Sequence, residues 1–351
     1  MRSFTTFLVT VICLILTACG GSGGSSTPGS TTVSNNFIQI TPESGVTITN
    51  NIVENSYYTT FELNGLELYA GTSNGIVLKI NPRYDGWVTV ESTTNSQPII
   101  TIAGDNSSGV YYVPYPSNVA YTTSAESGFT NDLDSGDITA ITSASNGSIY
   151  FGTSDGNVGL TNNPAGKIVR TIPTPSFGPI LGIFCTNNSC NSGQQGLLVF
   201  QAESALIPAF ESSVYSNDPS QYDYKTRMYY LDLESWIPVV YDHVISHKTV
   251  TIESITYNNV PEFVTTITVD KGIIYAGTNF FNIYSASLKC NHGQGCSIAW
   301  NSSPINTIPL DKVTNGSQGI SSLKVLDNGQ LYVVSSHSES TINVYKSKNT
   351  H

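Results

Sequence analysis

From residue 37 onward, apolar and polar side chains alternate with a period of two, in short runs broken by Gly, Asn and Asp. Ile138 to Ala144 runs into Asn146-Gly147, and Ile320 to Leu326 runs into Asp327-Asn328-Gly329. Alternation bounded by Asn-Gly or Asp-Gly is the pattern of strands joined by tight hairpins. No stretch after the first eighteen residues keeps an apolar period of 3.6, so helices are expected to contribute little.

One phrase recurs along these runs. It reads Leu68-Tyr69-Ala70-Gly71-Thr72-Ser73-Asn74-Gly75, then Ile149-Tyr150-Phe151-Gly152-Thr153-Ser154-Asp155-Gly156, then Ile274-Tyr275-Ala276-Gly277-Thr278-Asn279. Weaker copies begin at Val110, Leu197 and Leu331. An alternating segment precedes each copy and another follows it, as at Ile76–Ile80, Val158–Leu160, Asn282–Leu288 and Ile342–Tyr345. The shorter intervals are about 40–50 residues, the length of one four-stranded propeller blade. The expected fold is therefore all-β, a six-bladed β-propeller of four-stranded antiparallel blades.

The long interval between Leu197 and Ile274 leaves seven blades as the alternative. Six follows if Met228–Leu233 is a third strand and residues 202–226 are an insertion before it. A second departure from the repeat covers roughly 242–262, between the fourth and fifth units. Residues 37–50, with Phe37-Ile38-Gln39-Ile40 and Val46-Thr47-Ile48-Thr49, would supply the outer strand that the last unit lacks and cover its edge.

The repeated phrases resemble those of quinoprotein-type propellers, whose strands run aromatic, small residue, Gly, Thr, Ser, Asp, Gly. The resemblance implies the propeller fold over residues 57–347. It carries no quinone ligands onto this chain, and the chain departs from that family's regular docking tryptophan at the end of each blade, having only Trp87, Trp236 and Trp300. No cofactor is expected.

The first thirty-six residues differ in kind. Arg2 is followed by an uncharged apolar run from Phe7 to Leu16 and by the small residues Thr17 and Ala18. That is the order of a signal peptide, 1–18, and the run is short of the roughly 20 residues a membrane-spanning helix needs. Leu16-Thr17-Ala18-Cys19-Gly20 resembles the bacterial lipobox, which implies a lipidated Cys19 as the first mature residue. Residues 19–36, rich in Gly and Ser, have little to bury and read as a flexible tether. Gly20 in place of Asp points, by the family pattern, to the outer membrane.

Charge then narrows the partners. Lys+Arg number 14 against 25 Asp+Glu, a formal net charge of −11, and cleavage removes Arg2 as well. Nucleic acid needs clustered basic residues, so it is excluded as a partner. Beyond Cys13 and Cys19 the cysteines are Cys185, Cys190, Cys290 and Cys296. In an exported chain disulfides are the default, with 185–190 and 290–296 as the expected pairs and 185–290 as the competitor. Zinc, with His292 between the second pair, is the weaker alternative, because neither spacing is the usual Cys-x2-Cys.

Gly71–Gly75 and Gly152–Gly156 both satisfy Gly-x-Ser-x-Gly. A hydrolase serine needs a strand-to-helix elbow, whereas these lie between two strands and repeat with the blade, so they read as turns. His243 and His247 stand among β-branched residues, where a four-residue spacing does not align them. Asp132, Asp134 and Asp137 have the composition of a calcium loop but lack its terminal Glu, and a solvated connection is preferred.

The chain therefore reads as a non-enzymatic envelope lipoprotein that meets the membrane through Cys19 and binds a protein partner through one propeller face. The two insertions, with Tyr215, Tyr222, Tyr224 and Tyr257, mark that face, since tyrosine joins contact area to a polar tip. The alternatives are a periplasmic hydrolase or lyase using a central channel, and a carbohydrate- or small-ligand-binding propeller.

Overall fold

The computed structural model describes residues 37–39, 58–64, 67–80, 88–92, 97–105, 109–124, 128–130, 136–144, 147–162, 168–173, 178–186, 196–203, 226–232, 238–242, 246–252, 255–291, 295–307, 319–325, 329–338 and 341–347. Every regular element among them is a strand. After β1 (Phe37–Gln39), antiparallel meanders follow in chain order. The first is β2 (Tyr58–Asn64), β3 (Glu67–Thr72), β4 (Ile76–Ile80) and β5 (Val88–Ser92). The second is β6 (Ile99–Gly104), β7 (Val110–Pro114), β8 (Val119–Thr122) and β9 (Phe129–Thr130). The third is β10 (Ile138–Ser143), β11 (Ser148–Thr153), β12 (Asn157–Asn162) and β13 (Ile168–Pro173).

The fourth is β14 (Ile180–Cys185), β15 (Gly196–Ala202), β16 (Thr226–Asp232) and β17 (Pro238–Asp242). A two-stranded hairpin, β18 (Ser246–Ile252) and β19 (Ile255–Glu262), comes next. The fifth meander is β20 (Val264–Asp270), β21 (Ile273–Thr278), β22 (Asn282–Asn291) and β23 (Gly295–Trp300), with the short β24 (Asn306–Thr307) added against the start of β22. The last is β25 (Gly319–Val325), β26 (Leu331–Ser338) and β27 (Thr341–Ser347), and β1 completes it by pairing Phe37 with Ser347 and Gln39 with Tyr345. Of the expected closing segment 37–50, residues 40–50 lie outside the described residues.

The repeated phrase is the second strand of its sheet together with the turn that follows. Thr72 Oγ1 accepts the Ile76 amide at 2.9 Å, Thr153 Oγ1 that of Asn157 at 3.1 Å and Thr278 Oγ1 that of Asn282 at 3.3 Å. The hydroxyl thus closes each turn from inside. Gly75 and Gly156 end those turns at φ 80° and 82°, a left-handed conformation that glycine adopts without a Cβ penalty. Both Gly-x-Ser-x-Gly matches are accordingly strand-to-strand turns.

A second repeat is invisible in composition. Each of the six first strands carries a bulge at its start, between Tyr58 and Thr60, Ile99 and Thr101, Ile138 and Ala140, Ile180 and Gly182, Val264 and Thr266, and Ile320 and Ser322. A bulge bends the strand and re-aims the extra residue. In two sheets that residue is a threonine whose hydroxyl donates to the next sheet, Thr139 to the Ile180 carbonyl and Thr265 to the Ile320 carbonyl, each at 2.5 Å.

The first strands also neighbour one another in order: β2 on β6, β6 on β10, β10 on β14, β14 on β20, β20 on β25, and β25 on β2. Lys324 of β25 reaches Glu62 of β2 at 2.8 Å across the last of these junctions. The apolar cores lie between successive sheets. Tyr69 and Val77 pack with Ile99 and Tyr112, Tyr111 and Phe129 with Ile138 and Phe151, and Tyr275 and Ile283 with Ile320 and Leu331. Being covered on both faces, the second strands are buried almost throughout, which is why they read as apolar runs rather than strict alternation.

Candidate functional site

The β18–β19 hairpin stands outside the four-stranded repeat, and its attachment contains the best-organised buried polar cluster among the described residues. Its register is set by a bulge at Asn258–Asn259, where Asn259 takes φ 60°. Ile252 pairs with Ile255 and Val250 with Tyr257, but beyond the bulge Lys248 pairs with Val260 and Ser246 with Glu262. Without the extra residue Ser246 would face Pro261. A one-residue slip exchanges the two faces of a strand, so the bulge is what brings Glu262 to its partners.

Glu262 has no solvent exposure. Its Oε1 accepts from Thr278 Oγ1 at 2.9 Å and from Asn282 Nδ2 at 2.8 Å, both on the fifth sheet. Its Oε2 accepts from Ser246 Oγ at 2.7 Å, from Lys248 Nζ at 3.0 Å and from the Tyr284 hydroxyl at 3.2 Å. Burial alone raises the carboxyl pKa. The hydrogen bonds from Asn282, Ser246 and Lys248, with the lysine charge, outweigh it and hold Glu262 below the usual carboxylate range. The same contact, after burial, pushes the Tyr284 hydroxyl up.

Five donors fill the roughly four lone-pair positions of a carboxylate. With its lone pairs taken by donors of the protein itself, the carboxylate ties the hairpin to the sheet. Asn279 reinforces the junction, its Oδ1 accepting the Phe263 amide at 3.0 Å and its Nδ2 donating to the Pro261 carbonyl at 3.1 Å. Lys248 also lies over the Phe280 ring, 5.5 Å from its centre. Sequence reasoning missed Glu262, because the bulge that aligns it leaves no trace in the alternation.

The expected tyrosines divide. Tyr257 lies on β19 opposite Val250, whereas Tyr215, Tyr222 and Tyr224 lie outside the described residues. At one end of the fourth sheet Gln201 pairs with Arg227 and Arg227 with Asp242, so the end of β15, the start of β16 and the end of β17 lie side by side there. Cys185 lies at the other end, opposite Leu197.

Cys290 and Cys296 form a disulfide across a register pair of β22 and β23. Cys185 is also disulfide-bonded, and Cys190 and Cys19 lie outside the described residues. Of the candidate ligands, His243, His292, Asp132 and Asp134 lie outside the described residues, and His247 is opposite Pro261 on β18. Asp137 and Ser154 are bound to each other's backbone, the Asp137 amide donating to Ser154 Oγ at 3.0 Å and the Ser154 amide to the Asp137 carbonyl at 2.8 Å. No group of three or more His, Cys, Asp or Glu among the described residues is placed to hold a metal ion.

No protein-family profile matches the chain, and no curated protein matches it. Solved structures match it in fold. A chain in the Chaetomium thermophilum Raptor structure aligns at 13% identity and a TM-score of 0.50, covering 86% of this chain and 25% of that one. A chain of a mitotic checkpoint complex aligns at 11% identity and 0.49, covering 85% and 76%. The computationally designed Ika8 protein aligns at 12% identity and 0.37, covering 82% and 70%. The aligned part is a quarter of the Raptor chain, and the likeness to this WD40-type neighbour bears on fold alone: an all-β chain of many small antiparallel sheets.

Proposed function

We propose that this chain is a lipid-anchored protein of the bacterial outer membrane whose body is a closed six-bladed β-propeller that acts as a protein-binding scaffold. Closure is supported by β25 lying against β2, by the Lys324–Glu62 pair across that junction and by β1 completing the last sheet. The lipobox-like Leu16-Thr17-Ala18-Cys19 and the Gly/Ser tether supply the anchor, and Gly20 favours the outer membrane. Lipidation is tested by mass spectrometry of the native N-terminus. An acylated Cys19 is expected, and an intact Met1 or a free Cys19 thiol would refute it.

The observation that carries the binding face is the common exit of the two insertions beside Arg227 and Asp242. Loops accept insertions readily, but the second departure is a paired hairpin held by a buried carboxylate with five donors, which supports a built surface rather than a tolerated excess. Tyr215, Tyr222, Tyr224 and Tyr257 are the contact residues of this face. Replacing 204–224 with a short Gly-Ser turn, with folding checked by circular dichroism, should remove specific proteins from an envelope pull-down. An unchanged set of co-purifying proteins would overturn the assignment of this face.

A further inference from the structure

We propose that Glu262 is an acid-sensitive latch that holds the β18–β19 hairpin in a fixed orientation on the fifth sheet and releases it, with the sheets still folded, when its carboxylate is protonated. A lone two-stranded hairpin is marginal in water. Among the described elements β18 and β19 have extensive strand contacts only with each other, so their order depends on what ties their base down.

The tie is divided between the two oxygens. Oε1 is held wholly by the sheet, through Thr278 and Asn282. Oε2 takes both hairpin donors, Ser246 and Lys248, beside the sheet's Tyr284. A proton on Oε2 puts a donor where an acceptor served three donors and removes the charge facing the ammonium. Ser246 and Tyr284 can turn their hydroxyls to accept; Lys248, an ammonium with no acceptor, cannot. Lys248 is partly exposed and regains water on leaving, so release runs through β18 while the Oε1 contacts stay with the sheet.

Among the described residues, the titratable groups facing Glu262 are Lys248 from β18 and Tyr284 from β22. Tyr284, whose hydroxyl is pushed up by burial and by Glu262, stays neutral throughout the acid range. Because the folded-state pKa of Glu262 lies below its unfolded value, the latch is fully engaged above the ordinary carboxylate range and is lost as pH falls through the lowered value. The inference does not depend on the proposed partner binding, since it concerns hairpin order alone.

Hydrogen exchange of the full chain, corrected for intrinsic rates, tests it at pH 7 and in a series down to pH 3. Amides of 246–262 should lose protection in acid while those of β20–β22 keep theirs. Glu262→Gln should expose the same hairpin amides at pH 7, by about tenfold or more, and abolish their acid response. Lys248→Met, which leaves the sheet untouched, should do likewise if the first variant does not fold, and His247→Gln should leave the acid response in place. Hairpin protection that persists in acid, or that is lost only together with β20–β22, would overturn the latch.

Discussion

Gly152 on β11 lies so close to Ile180 on β14 that a Cβ built on the glycine would stand 2.3 Å from the isoleucine Cβ and Cγ2. Gly71 meets Ile99 in the same way at 2.7 Å, and Gly277 meets Ile320 at 2.6 Å. The glycine of the repeated phrase is the seat of the next sheet's first isoleucine. Gly152→Ala should therefore cost about 1–3 kcal/mol by overpacking. Ile180→Ala should recover part of that loss, so the double variant is less destabilised in denaturant than the sum of the two single changes.

The β1 strand covers the edge of β27 at three paired positions. Deleting 37–39 should lower stability by roughly 1–2 kcal/mol from the lost ladder bonds, a fall of about 1–3 °C in Tm. Lys324→Met should cost at most about 1 kcal/mol, because an isolated and partly exposed pair is worth little. A thermal melt of the deletion variant that matches the intact chain would refute closure by β1.

Alkali should unfold the protein through its tyrosines. Burial holds Tyr69, Tyr150, Tyr275 and Tyr284 above the ordinary value of 10.0. Their raised folded-state values mean that the unfolded chain loses these protons first, so stability is intact below pH 10 and declines above it. Tyrosinate absorbance should rise in step with loss of the β-sheet circular dichroism signal. Ionisation of all the tyrosines before any unfolding would contradict this.

Reduction of Cys290–Cys296 should leave β22 and β23 paired, since the ladder runs on from Ala286–Trp300 to Lys289–Ser297 without it. The loss of a cross-link separated by six residues should cost about 2 kcal/mol by chain entropy. Non-reducing peptide mapping should recover the 290–296 linkage, and denaturation of the Cys290→Ser/Cys296→Ser variant should give the cost.

Strand content, the antiparallel meanders and the turn status of both Gly-x-Ser-x-Gly segments were legible in the sequence. Those features are local: period-two alternation, Asn-Gly and Asp-Gly turns, and a threonine closing a turn four residues long are written in neighbouring positions. That 246–262 is a paired hairpin, that Glu262 is its anchor and that the phrase's glycines serve the following sheet emerged only once the strands were packed together. Each of these depends on partners from another strand or sheet. A single bulge at Asn258–Asn259 shifts the pairing by one residue, and the alternation of side chains along either strand does not record which residue of the other will stand opposite.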